Sequence, residues 1–403
     1  MEDKSIKITY LGDLTCDKPL LHAAETKKYD FKSVFCKVKK KFNSSDLIVG
    51  NFETVCGGIK SQDKKALMRY NTPDSFVEDL ADANIKLVST SNNHCLDQGI
   101  EGLKRTLDVL DKFHIAHTGT YRNQEERDQL FTMQVKDKRL SFLSYTYSTN
   151  ETNTGIVLNE TNDFYVGLLK NQSSASVDNN YLKNFLLRVI GEKQRRLIKK
   201  VLFKIMLAFG IPYMHAYTDQ IREGDQKNIY LERVKKDIAA AKRVSDYVIL
   251  LVHAGGQFNP EPGGYCEFLM DFLTRYGADA VIENHPHVVQ KIVDTNGKLT
   301  AYSLGSFNLS PSADYIIHDS LPEYSVALHQ YLSTNNTVKY SFSILKIIED
   351  EEGNIVVWPI EELYEKSNKQ EKKCLWEESS KIFERVTGKK DKTFVVEEEY
   401  ELL

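Results

Sequence analysis

No run of about 18 apolar residues occurs in this chain, so no transmembrane helix is expected. The opening stretch MEDKSIKITYLGDL is charged and passes straight into a strand pattern. It has no apolar h-region, which argues against a secretory signal. Cysteine is sparse: residues 16, 36, 56, 95, 266 and 374 form no C-x-x-C pair and no dense framework. That excludes a disulfide-stapled scaffold and suits free thiols in a reducing compartment. An excess of basic charge is also missing. Lys and Arg number 53 against 57 Asp and Glu, a net charge of −4, which gives no global pull toward nucleic acid or an anionic membrane. Internal repeats are absent as well. These absences lead to the expectation of a cytoplasmic protein with no nucleic-acid partner.

What remains is an ordinary globular composition, 41% apolar and 27% charged over 403 residues, enough for one or two domains with a sizeable core. Short apolar runs that finish in polar loops recur at 6–13, 46–53, 85–94, 140–147, 246–256, 278–287 and 299–307. Helical patterns fall between several of them, at 75–84, 99–113, 231–245 and 266–277. Strands alternating with helices of 10–15 residues predict an α/β fold with buried central strands. The domain expected over 1–345 is interrupted by an insert at about 161–216. Within it, 181–210 has amphipathic helical spacing with Arg188, Lys193, Arg195, Arg196, Lys199, Lys200 and Lys204. Such a segment can pack on its own domain, lie on a membrane surface or grip an acidic polymer. A second region, 346–403, is expected to hold the rest of a β-hairpin turning at EEGN, a charged helix and a tail.

Polar side chains gather where the strand patterns end. Successive runs finish in Asp13, in Asn51 to Glu53, in Asn93–His94, in His253 and in ENHPHVVQ at 283–290. Ligands and catalytic groups in α/β sheets collect outside the carboxyl ends of the strands. His285 and His287 stand two apart around Pro286, and an extended backbone would hold both imidazoles on one side. Taken singly, each position has an ordinary reading as a turn residue, a solvated carboxylate or a packed histidine. Taken together, Asp13 and Glu53 offer anionic oxygens, Asn93 a neutral oxygen, and His253, His285 and His287 imidazole nitrogens. That mixture suits one or two Mn²⁺, Fe²⁺ or Zn²⁺ ions better than the all-oxygen shells of Ca²⁺ or Mg²⁺. Cys16, Cys56 and Cys95 lie close by in sequence and read as small packing residues.

The ordered set GD (12–13), NFE (51–53), SNNHCLDQG (91–99), LVHAGG (251–256), HPHVVQ (285–290) and YSLGSF (302–307) resembles the CapA-type poly-γ-glutamate capsule-biosynthesis proteins, which are similar to the calcineurin-like metallophosphoesterases. The resemblance covers roughly residues 5–310 outside the insert. It implies a four-layer α-β-β-α sandwich with a metal centre at one end of two sheets. It also implies that Asp13, Glu53, Asn93, His253, His285 and His287 are metal ligands. His94 would contact the phosphoryl group or protonate the leaving oxygen, and Asp97 would orient it. Three departures stand out. Glu283 and Asn284 replace the usual Gly-His before HPH, and Ser306 replaces Asn in SLGNF. Asp13 is followed by Leu14 and Thr15 rather than by a second ligand, which leaves one metal position a donor short.

Two functions of different class follow. One is a metal-dependent hydrolase acting on a phosphoester, or on an amide or ester of a capsule-like polymer. The other is a non-catalytic accessory factor of capsule assembly that holds an anionic polymer or a membrane partner through 181–210, with a structural or vestigial metal.

Overall fold

The computed structural model describes residues 5–58, 69–172, 219–295, 297–334 and 337–402. The basic segment 181–210 and most of the expected insert lie outside the described residues. Among the described residues the chain forms a mixed α/β fold built on two mixed sheets.

The larger sheet has eight strands. Its path runs β13 (Ile355–Pro359), β12 (Val338–Glu349), β11 (Tyr324–Leu332), β1 (Ile6–Leu14), β2 (Leu47–Phe52), β3 (Leu87–Ser89) and β4 (Ala116–Thr118), and β14 (Tyr400–Glu401) pairs with β12. β1 to β4 are parallel, whereas β11, β12 and β13 are antiparallel additions. The six-stranded sheet runs β5 (Thr132–Val135), β6 (Lys138–Thr146), β7 (Tyr247–His253), β8 (Ala280–Asn284), β10 (Lys298–Ala301) and β9 (Ile292–Thr295), with β6, β7, β8 and β10 parallel.

Side-chain alternation explains how the sheets are covered. One apolar core joins Ile6, Ile8 and Tyr10 of β1 and Val49 of β2 with Phe142, Ile249 and Ile282 of the other sheet. The opposite faces of the same strands feed separate cores. Ile48, Phe52 and Val88 pack with Phe76, Leu80, Leu103 and Leu107 from the helices Asp74–Asp82 and Gly99–Lys112. Val248, Leu250 and Val281 pack with Val234, Ile238, Leu269 and Leu273 from the helices Ile229–Val244 and Gly264–Arg275. Strands with both faces covered must be apolar throughout, which is why they read as short continuous runs.

The four helices expected at 75–84, 99–113, 231–245 and 266–277 lie within two residues of those bounds. The expected hairpin is β12 paired with β13, and the charged helix is Lys369–Thr387, opened by an Asn368–Glu371 capping box. None of the described helices is long and apolar enough to cross a membrane. Two details beside the polar strand ends differ from expectation. β3 stops at Ser89, so SNNH forms a turn rather than a strand end. The HPH segment is not extended either: β8 ends at Asn284, and His285 and His287 both take positive φ, 108° and 57°. The i, i+2 argument therefore fails for this pair, and a bend with positive φ at both histidines sets the two rings instead.

Candidate metal centre

Parallel neighbours point their carboxyl ends the same way, so β1, β2 and β3 deliver their C-terminal residues to one edge, and β7 and β8 do the same in the other sheet. Asp13 sits near the end of β1, and Glu53 directly follows β2. Asn93 and His94 occupy the turn beyond β3, His253 closes β7, and His285 and His287 follow β8. All seven are buried, at 4% exposure or less. Gly12 shows why the chain is so tight here, since a Cβ on it would lie 1.8 Å from the Gly305 carbonyl oxygen. That close approach lets Asp13 bridge to Ser306.

The donors converge in two groups that share Glu53: Glu53, His253 and His285 form one, and Asp13, Glu53 and His287 the other. In the first, Glu53 Oε1 is 3.5 Å from His253 Nε2 and 4.0 Å from His285 Nδ1, and Asn93 Oδ1 lies 2.7 Å from the same His253 Nε2. In the second, His287 Nδ1 is 3.1 Å from Asp13 Oδ2 and 3.7 Å from Glu53 Oε2. Metal–ligand bonds of about 2.1 Å at right angles would set neighbouring donors about 3 Å apart, within the spread of these spacings. Both oxygens of Glu53 and Nδ1 of His285 are buried without a hydrogen-bond partner among the described residues. Orphaned buried polar atoms are costly and call for an explanation. A cation between them supplies one, so the buried acidic and imidazole groups could hold a metal ion.

Neighbouring side chains fix the orientation of this set. Asn51 Nδ2 donates to Asp13 Oδ1 at 2.7 Å and lies 3.0 Å from His253 Nδ1, while the Ser89 hydroxyl donates to Asn51 Oδ1 at 2.8 Å. The Ser306 hydroxyl is 2.8 Å from His287 Nδ1, and the Tyr147 hydroxyl is 3.1 Å from His285 Nε2. The His285 backbone N–H donates to Asp13 Oδ2 at 3.3 Å. Positive φ at non-glycine residues costs about 1–3 kcal/mol each and collects at functional sites. Here it places the two imidazole rings 5.8 Å apart, one in each group.

His94 stands beside the cluster, its Nε2 4.0 Å from Glu53 Oε1 and its Nδ1 2.6 Å from Asp97 Oδ2. The backbone N–H of Tyr70 donates to the same Asp97 oxygen at 2.7 Å, and the Tyr70 ring packs on His94 with centroids 4.3 Å apart. Sequence reasoning found His94 and Asp97 but missed the roles of Asn51, Ser89, Tyr70 and Tyr147, whose identities carry no distinctive spacing.

The charge states follow from burial and from these neighbours. Burial opposes ionisation of Glu53, but attraction to the facing imidazoles of His287 and His253 holds its carboxyl well below the usual range. Burial pushes His285 down to about 3, leaving the neutral imidazole that ligation requires. Burial also works to lower His287 and His94. Glu53 and Asp13 nevertheless keep His287 above its ordinary value, and Asp97 does the same for His94.

The departures occupy definite places. Cys266 Sγ donates to Glu283 Oε1 at 2.8 Å, and burial pushes the Glu283 carboxyl well up. Cys16, Cys56 and Cys95 are packed in the core against the helices of the larger sheet, and burial pushes all three thiols up, as expected of packing residues.

The fold and the site thus define a mixed α/β protein with a buried carboxylate–imidazole cluster at its strand ends. The family model described as "Bacterial capsule synthesis protein PGA_cap" matches residues 7–310, and the chain belongs to that family. It is 22% identical over 351 residues to "PGA biosynthesis protein CapA" of Bacillus subtilis (strain 168), covering 86% of this chain and 73% of the relative. It is 20% identical over 313 residues to "Capsule biosynthesis protein CapA" of Bacillus anthracis, covering 76% of this chain and 60% of the relative. "Uncharacterized protein y4sH" of Sinorhizobium fredii (strain NBRC 101917 / NGR234) is 24% identical over 291 residues, covering 68% of this chain and 61% of the relative.

Proposed function

We propose that this capsule-synthesis family member is a metal-dependent hydrolase on a four-layer α-β-β-α framework. Its substrate would carry a phosphoester, or an amide or ester bond of a capsule-type polymer. The observation that carries the proposal is Glu53, a buried ionised carboxylate whose two oxygens have no hydrogen-bond partner among the described residues and face different histidine sets. Glu53 belongs to both donor groups and would help to hold one or two divalent ions. Asn93, His253 and His285 would complete one position, and Asp13 and His287 the other. Mn²⁺, Fe²⁺ or Zn²⁺ at these donors would supply Lewis acidity for hydrolysis.

The remaining work belongs to the chain's own residues. His94 would donate its Nε2 proton to the leaving oxygen. Asp97 accepts from Nδ1, which holds the ring in position and raises its pKa above the ordinary imidazole value against the opposing effect of burial. Asn51 would hold Asp13 and His253 in register, as the outer partners of a metal site do. Segment 181–210, through its basic residues, would hold an anionic polymer or a membrane surface.

A second reading, an accessory factor with a structural metal, draws support from the Asp13 group, which musters three donors among the described residues. The two are separated by assaying chain loaded with each ion against phosphomonoesters, phosphodiesters and polymer fragments, beside H94A. Turnover abolished in H94A supports the hydrolase. An ion-loaded chain with no turnover on any substrate supports the accessory factor.

A further inference from the structure

Around Glu53 the aromatic side chains form a closed arc. Tyr70 packs on His94 with ring centroids 4.3 Å apart, and its hydroxyl lies 2.9 Å from the Tyr315 hydroxyl. The Tyr315 ring approaches Phe258 at 6.5 Å, and Phe258 approaches His287 at 5.8 Å. The two ends of the arc meet the same carboxylate: His94 Nε2 is 4.0 Å from Glu53 Oε1, and His287 Nδ1 is 3.7 Å from Glu53 Oε2.

The middle of the arc is polar. Two phenols joined by one hydrogen bond spend one O–H on each other and retain the second. Among the described residues, neither hydroxyl has another hydrogen-bond partner. Tyr315 is half-buried and Tyr70 is buried, so the pair marks the boundary between solvent and the cluster. An apolar rim would be served by phenylalanine at both positions. A free phenolic donor beside a buried cluster of ligating groups is placed to receive an anionic oxygen.

We infer that the Tyr70–Tyr315 hydroxyl pair is a substrate-binding element, donating one O–H to a non-bridging oxygen of a phosphoryl group held over Glu53. This rests on the metal-dependent reading above. Tyr70 thereby serves both partners of the reaction, because its backbone N–H and ring set His94 while its hydroxyl sets the substrate.

The test uses the full chain loaded with Mn²⁺ and inorganic phosphate as probe. Phosphate affinity is measured by calorimetry and metal content by mass spectrometry, for the unaltered chain, Y70F, Y315F and Y70F/Y315F. Phenylalanine keeps each ring and removes only the hydroxyl. A hydrogen bond to a charged group lost from the complex corresponds to weakening of about 10- to 100-fold. That loss in the double variant, with metal content unchanged, is the expected result. Should the double variant not fold, the single variants decide: at least one must show the loss. Equal phosphate affinity in every variant overturns the inference, even where the metal reading stands. A melting temperature that falls while affinity holds also overturns it, since it makes the pair a tie between loops. An unaltered chain that holds metal but no phosphate overturns the inference alone, and one that holds no metal overturns both readings.

Discussion

Replacing Glu53 by glutamine separates a ligand from a structural carboxylate. Glu53 is fully buried, and neither of its oxygens has a hydrogen-bond partner among the described residues. Without metal, glutamine therefore removes a desolvated charge and breaks no hydrogen bond, while the facing histidines can shed their protons. At pH 8 the metal-free variant gives up both the cost of burying the Glu53 charge and the attraction of the imidazoles that hold it ionised, so its melting temperature serves as the baseline for the metal-dependent rise. With metal the variant and the unaltered chain should part. An ion at a hundredfold excess over its Kd stabilises the folded chain by about 2.7 kcal/mol. For 403 residues the unfolding entropy is about 0.85 kcal/mol/K, so each ion raises the melting temperature by about 3 °C, and two ions by about 6 °C. E53Q should lose nearly all of that rise, because its amide has one poor donor atom to share between two sites. Scanning calorimetry with and without Mn²⁺ reads the difference directly. An E53Q rise equal to that of the unaltered chain refutes the bridging role. A metal-free variant that melts many degrees lower shows that Glu53 holds the fold instead.

Three further outcomes follow from the geometry. Asp97 holds His94 above its ordinary value, and the protonated form is the one that can donate, so activity should fall as pH rises through the His94 pKa; D97N should move that fall to lower pH, and an unmoved pH–rate profile contradicts the assignment. N51A should weaken metal binding by about 10- to 100-fold while leaving the fold intact, measured by competition with a chelating dye; unchanged affinity would show that Asp13 and His253 need no guide. G12A forces a methyl against the Gly305 carbonyl at 1.8 Å, backbone on backbone, and should cost about 3 kcal/mol or more in denaturant unfolding; a neutral result would mean that this strand approach is loose.

Much of the framework was legible because its strands are covered on both faces. β1, β2, β7 and β8 appear as apolar runs, and the candidate ligands appear where those runs stop. β11 was missed for the opposite reason. It is a central strand, yet it buries Ser325, His329 and Gln330, so it shows no apolar run, and it pairs with β1 from the far end of the chain. Within the site, Asp13, Glu53, Asn93, His253, His285 and His287 were each visible as strand-end residues, and they do converge. The manner of convergence was not visible. Positive φ at His285 and His287 has no local signal in residues that rarely adopt it, and it is imposed by the packing around Asp13. Asn51, Tyr70 and Tyr315 likewise gain their places only when distant segments meet.

The central claim is that these side chains hold divalent ions. It is tested most directly by metal content after equilibrium dialysis against Mn²⁺, Fe²⁺ and Zn²⁺ separately, for the unaltered chain and H285A/H287A. One or two ions tightly held by the unaltered chain and lost from the variant is the expected result. An unaltered chain that holds no ion under any of these conditions would contradict the account.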